Sequence, residues 1–107
     1  MGFQIGGAIL DFVVLSILNH QDEYGYLLTQ QVQQILDISE TAMYPALKRL
    51  QKANYLSTYD SPFQGRNRRY YSISPDGKSA LARYEQDWKI FQHNMDLLLE
   101  GGHPLDD

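Results

Sequence analysis

The sequence predicts a mainly α chain with one small β-hairpin, closed by a long final helix. Three observations lead there. Apolar residues recur at helical spacing in four separate stretches. Two short runs rich in tyrosine, threonine and isoleucine are split by a Pro- and Gly-containing spacer. The last stretch carries an unbroken 3-4 apolar repeat. A chain of 107 residues makes one domain, with a modest core that gains from a partner subunit.

In GGAILDFVVLSILNH, Ile9, Leu10, Val13, Val14, Ile17 and Leu18 repeat as one helical face. Phe12 adds a second apolar side, so this helix packs on more than one neighbour. QDEYG is a polar break. LLTQQVQQIL follows as a second helix with Leu28, Val32, Ile35 and Leu36 turned inward. After Asp37-Ile38, Ser39 suits an N-cap, because its hydroxyl can accept from a free amide of the next turn, and Glu40 meets the positive end of the helix dipole. The third helix runs to about Ala53, with Met43, Leu47 and Leu50 in the core and Asn54 as C-cap. YLSTYD and RRYYSIS form a hairpin over a longer loop, SPFQGRN, in which one of Tyr70 and Tyr71 is core and the other covers the helix. Ser74-Pro75 opens the final helix, serine as cap and proline at the first helical position, and it reaches about Glu100. The expected division is 1–74 for a compact head, 75–100 for the long helix and 101–107 for a flexible tail.

Within the last helix, Leu81, Tyr84, Trp88, Phe91, Met95 and Leu98 follow in steps of three and four, the a/d seam of a coiled coil. The seam is long for so small a core, which predicts packing against another chain, most simply as a two-fold homodimer. Charge is segregated as well. The net charge is −4, but from Thr41 to Lys78 seven Lys and Arg face two Asp, whereas the remainder holds two cations and eleven carboxylates. A basic middle between acidic ends makes a directional field, although a cluster on a solvated face is the alternative.

Helix, helix, capped helix, hairpin, long helix is the order of a winged helix-turn-helix. A positive helix can enter a major groove and meet base edges, while hairpin arginines reach the backbone or a minor groove. The chain also resembles the PadR family of transcriptional regulators, in the short form with a single C-terminal helix. YGYLLTQQV, ETAMYPALKRLQKANYL and RNRRYYSISPDGKSAL carry the resemblance across Leu10 to Trp88. It implies a dimeric DNA-binding repressor, joined through the C-terminal helix and the partner's first helix, in a family where some members bind aromatic small molecules near that junction. The acidic net charge and the short tail depart from it.

On this basis the expected contacts to double-stranded DNA are Lys48, Lys52, Arg66, Arg68 and Arg69 to phosphate, with Thr41, Tyr44 and Pro45 on the reading face. Arg49 lies off that stripe. Pro45 has two readings: it bends one continuous helix beginning at Ser39, or it sits at the first position of a helix beginning at Tyr44. The expected dimer interface is Phe12, Leu81, Tyr84, Trp88, Phe91, Met95 and Leu98. Trp88 with Phe91 is either packing there or one wall of an aromatic effector site. A winged helix used only for protein–protein contact is the alternative function. Without cysteine there is no disulfide framework or thiolate zinc site, which fits a reducing cytoplasm. HQDE is a weak metal motif and reads better as a solvated turn. No catalytic set and no cofactor-binding loop is discernible, so an enzyme is not expected. The longest apolar run, AILDFVVLSIL, contains Asp11 and falls short of the ~20 residues that span a bilayer.

Overall fold

The computed structural model describes residues 7–103. The expected helix start at Gly6 and the tail beyond His103 lie outside them. The elements are α1 (Gly7–His20), β1 (Glu23–Tyr24), α2 (Gly25–Gln33), α3 (Glu40–Lys52), β2 (Leu56–Phe63), β3 (Arg66–Ile73) and α4 (Pro75–Leu99). The three strands form one antiparallel sheet in the order β1-β3-β2.

The core gathers around α1, where Leu10, Val14, Leu15 and Leu18 are buried. Leu28 and Val32 of α2, Met43, Ala46, Leu47 and Leu50 of α3, Tyr71 of β3 and Ala80 of α4 close over it. Helix α2 ends two residues short of Ile35, and the chain turns there. Leu36 is buried, but Ile35 is 54% exposed, so the expectation that both turn inward is corrected. The turn, not the helical period, decides which side chain faces the core.

The polar QDEYG segment contains a strand. Glu23 pairs with Tyr71 and Tyr24 with Tyr70, which extends the hairpin to three strands. Glu23 is only 5% exposed, and its carboxylate accepts from Gln21 Nε2 at 3.1 Å and Gln31 Nε2 at 2.9 Å. The solvated turn expected for HQDE is therefore corrected at Glu23. Burial of a charge is tolerable only when such donors replace water. Among the described residues, no three His, Cys, Asp or Glu side chains cluster in a way that could hold a metal ion.

The hairpin loop is also shorter than expected. Strands β2 and β3 pair from Leu56–Ile73 out to Phe63–Arg66, and only Gln64 and Gly65 turn the chain. Both have positive φ, 51° and 79°, the arrangement whose twist matches paired strands. Pro62 can pair near the tip because β2 is an edge strand, where a missing N–H costs no ladder bond.

Helix α3 is continuous through Pro45 from Glu40, so a start at Tyr44 is excluded. Ser39 holds the N-cap position, but its hydroxyl meets Thr41 Oγ1 at 3.0 Å instead of a backbone amide. At the other end Ala53 is the cap, and Asn54, one residue beyond, takes the left-handed conformation at φ 65°. The amide of Tyr55 donates to Leu50 O and that of Asn54 to Gln51 O, which satisfies the last carbonyls of α3.

That corner is riveted to the start of α4. The Ser74 hydroxyl donates to Asn54 O at 2.6 Å and accepts from Gly77 N at 2.9 Å, while Asn54 Nδ2 donates to Asp76. Gly77 is required by the closeness of the approach. A Cβ there would lie 2.7 Å from Ile73 Cγ1 and closer still to the carbonyl oxygen of Tyr55. Gly77→Ala should therefore destabilise the protein by ~1–3 kcal/mol in urea unfolding, despite alanine's better helix propensity. An unchanged midpoint would show that the α4 entry relaxes freely.

Candidate nucleic-acid interface

Helix α3 splits its side chains by angle. Met43, Ala46, Leu47 and Leu50 are buried, and Thr41, Tyr44, Pro45, Lys48 and Lys52 all stand in solvent. Tyr44 is 61% exposed, unusual for a side chain with so much apolar surface, and Lys48 Nζ lies 5.2 Å from its ring centroid. A cation over the ring gives this face positive charge beside a flat aromatic surface. Pro45 cannot donate, so the Thr41 carbonyl lacks its i+4 amide partner on this same solvent-facing side.

Alternation along β3 separates the wing arginines. Arg69 shares a face with buried Tyr71, and its Nε is 3.6 Å from Asp60 Oδ1 of β2 in an exposed pair. Arg66 and Arg68 share the opposite face with Tyr70. On that face Tyr59 and Tyr70 stack at 5.4 Å with ring planes 9° apart, and Tyr24 meets Tyr70 edge-on. The Tyr59 hydroxyl donates to Asp22 at 2.7 Å, and this hydrogen bond to a carboxylate holds the phenol above its usual pKa. Arg68 is clasped between rings, its guanidinium carbon 3.6 Å from the Phe63 centroid and 4.0 Å from that of Tyr24. Arg66 at the tip is exposed, next to the Gln64-Gly65 turn.

Arg49 turns away from the α3 stripe. Its Nη2 pairs with Asp11 Oδ1 of α1, and the Tyr84 hydroxyl of α4 donates to Asp11 Oδ2 at 3.4 Å. Burial, with the Asp11 carboxylate beside it, pushes the Tyr84 phenol up, so the tyrosine is a neutral donor at ordinary pH.

The expected dimer residues fall into two groups. Leu81 and Tyr84 are half-buried against the chain's own core, and Phe12 stacks on Tyr84 at 6.0 Å. Beyond them every residue from Glu85 to His93 is exposed, including Trp88, Ile90 and 56%-exposed Phe91. Met95 is half-buried and Leu98 exposed. Trp88 lies 6.5 Å from Phe12 and 6.1 Å from Phe91, and these rings line an apolar groove with Ile9 and Tyr84 between α1 and α4.

The sequence model of the transcriptional regulator PadR-like family matches residues 14–83, well over half the chain and all of the elements from mid-α1 into α4. The chain belongs to the PadR-like family. An uncharacterized protein of Lysinibacillus sphaericus is 29% identical over 97 residues, covering 86% of this chain and 89% of its own length. A Streptococcus mutans protein of known structure superposes with a TM-score of 0.87 at 34% identity, covering 92% of this PadR-like chain and 93% of the other. A PadR family transcription regulator from Clostridium difficile gives 0.77 at 34% identity, over 83% and 96% of the two chains. A PadR-like regulator from Bacillus cereus gives 0.78 at 28%, over 85% and 91%. The family, with these last two neighbours, comprises transcriptional regulators and not enzymes. No helix of the described PadR-like chain is long and apolar enough to cross a membrane.

Sequence reasoning missed three features of this PadR-like structure: the Asp11–Arg49–Tyr84 cluster, the Glu23 site and the aromatic clasp. The alternation of Tyr59, Phe63, Arg66, Arg68 and Tyr70 carried the signal for the clasp, but Tyr24 joins it from 44 positions away, a pairing only the sheet creates. Because Arg68 is held by two rings, Arg68→Gln should lower stability by roughly 0.5–2 kcal/mol in chemical unfolding. Arg66→Gln, at a guanidinium not clasped between two rings, should change stability less. Equal behaviour of the two variants would remove the clasp's role in holding the hairpin.

Proposed function

We propose that this protein is a homodimeric, sequence-specific DNA-binding repressor that reads operator DNA with α3 and grips neighbouring phosphates with the wing. The observation that carries this is the solvent-facing stripe of α3, where Thr41, Tyr44, Pro45, Lys48 and Lys52 stand together on a rigid element in a PadR-like regulator. Thr41 and Tyr44 contact bases or sugars, beside Pro45 and the Thr41 carbonyl that Pro45 leaves without an i+4 amide. Lys48 and Lys52 contact phosphate. Arg66 and Arg69 reach the backbone from the wing, and Arg68 offers the free edge of its clasped guanidinium to the same strand. Base contacts specify and phosphate contacts position, so the two groups have separable effects.

Dimerisation is supported by α4. A 25-residue helix is about 37 Å long, and its second half leaves Trp88, Ile90, Phe91 and Leu98 largely exposed. In the proposed dimer this half packs on the partner together with Phe12 of α1. The groove between Phe12, Trp88 and Phe91 is the place for a flat aromatic effector that releases DNA.

Two experiments test these roles. A duplex selected from a random library should be bound more tightly than a scrambled duplex of the same length. Tyr44→Ala should lower that preference by ~1–3 kcal/mol. Lys48→Ala should weaken both duplexes and cut the slope of log affinity against log salt by about 0.9. If selection returns no preferred duplex, a winged helix used for protein–protein contact becomes the better reading.

Light scattering should show a dimer at micromolar concentration, and a combined Phe91→Asp and Leu98→Asp variant should be monomeric. Flat aromatic compounds should quench the fluorescence of Trp88, the chain's only tryptophan, in parallel with DNA release. A wild-type monomer would sink the dimer. DNA release without quenching would move the effector elsewhere.

A further inference from the structure

We propose that Asp11 is a positioning residue for DNA reading, holding α3 through Arg49 and tying that hold to α4 through Tyr84, an inference that rests on the DNA-reading role of α3 proposed above. Asp11 is the one carboxylate on α1 and is only 8% exposed, within a helix whose other residues before its last turn are apolar or glycine except Ser16. A carboxylate in such a place is costly unless partners replace its water. Its two oxygens are taken by two different helices: Oδ1 by Arg49 of α3, Oδ2 by the Tyr84 hydroxyl of α4.

Both partners are placed where the contact has consequences. Arg49 directly follows Lys48 but is turned by about 100° around the helix, towards α1. Its Nη2 would lie 3.5 Å from a Cβ on Gly7, so the guanidinium rests against the first turn of α1, at a position with no side chain to crowd it. The Arg49 side chain is half exposed, but its charge is met by Asp11, which assigns it to positioning and not to phosphate. Tyr84 stacks on Phe12, and Phe12 meets Trp88, at the point where α4 leaves the core. A shift of α4 across the groove therefore moves the hydroxyl that shares Asp11 with the reading helix.

The sign of one substitution separates positioning from bulk electrostatics. Removing a negative charge from a DNA-binding protein strengthens binding to any sequence if only the field matters. If Asp11 positions α3, the isosteric Asp11→Asn instead weakens binding to the selected duplex while the scrambled duplex is bound as well as before or better. The full-length wild type, Asp11→Asn, Arg49→Gln, Arg49→Lys and Tyr84→Phe are compared on both duplexes across a salt series, with circular dichroism to verify folding.

The expected result is an about tenfold loss on the selected duplex for Asp11→Asn and Arg49→Gln, as for a lost charged hydrogen bond, with the salt slope of Arg49→Gln unchanged. The combined Asp11→Asn, Arg49→Gln variant should be no worse than the weaker single variant, because the pair acts as a unit. Tyr84→Phe should lose a few-fold in the same direction while keeping its ring on Phe12. Should Asp11→Asn or Arg49→Gln fail to fold, Arg49→Lys and Tyr84→Phe carry the test, since both keep charge and most of the packing. Tighter binding of Asp11→Asn to both duplexes, or a slope reduced by about 0.9 in Arg49→Gln, overturns the proposal. Wild-type discrimination by Tyr84→Phe overturns the link to α4. A wild type that discriminates, with every variant its equal, defeats this inference alone; a wild type that does not discriminate defeats the DNA reading and this inference together.

Discussion

Helix α1 is the wall on which the other elements are packed, and its burial constrains everything else. It touches α2, α3, α4 and β3, and Val14 and Leu15 have no solvent exposure at all. A helix covered on so many sides must be apolar nearly all round. Asp11 breaks that rule, and the break is tolerated because α3 and α4 each bring a polar group to it. The same carboxylate that would be a liability in isolation thus ties together the two helices proposed to read DNA and to meet a partner.

The sheet divides its work between two faces. The inner face, with Leu56, Tyr71 and Ile73, belongs to the core and seats Glu23 against the glutamines of the first turn and α2. The outer face is aromatic and carries Arg68 between Tyr24 and Phe63. A two-stranded ribbon in water is marginal by itself. Here the third strand and the ring contacts hold it, so that Arg66 is presented from a supported tip and not from a loose loop.

Helix α4 changes character near Glu85. Before that point Gly77 and Ala80 are buried, and Ser74 fixes its start to the end of α3. After it, large apolar side chains from Trp88 to Leu99 stand in water along about three turns. Among the described residues, α1 meets this half only at the groove around Phe12, and burial of its exposed apolar side chains in a second copy is the physical motive for the proposed dimer. The aromatic cluster of Phe12, Tyr84 and Trp88 sits at the junction, partly core and partly groove.

Helix periods, the Ser74-Pro75 start and the exposed stripe of α3 were legible in the residues, because each depends on spacing within one element. The order of elements and the PadR resemblance followed from the same local patterns. Other features were hidden because they join residues far apart in the chain. Asp11 looked like an interruption of an apolar run until α3 and α4 closed over it, and Glu23 looked solvated until β1 paired with β3. Ile35 kept the helical period but lost the core when the chain turned after Gln34. The loop SPFQGRN shrank to two residues because pairing along β2 and β3 continues past Pro62, which an edge position permits. Local periodicity by itself determined the elements and which face of each helix is apolar. Only the tertiary structure decided which charges are buried, because a buried charge is set by partners that sequence spacing does not bring together.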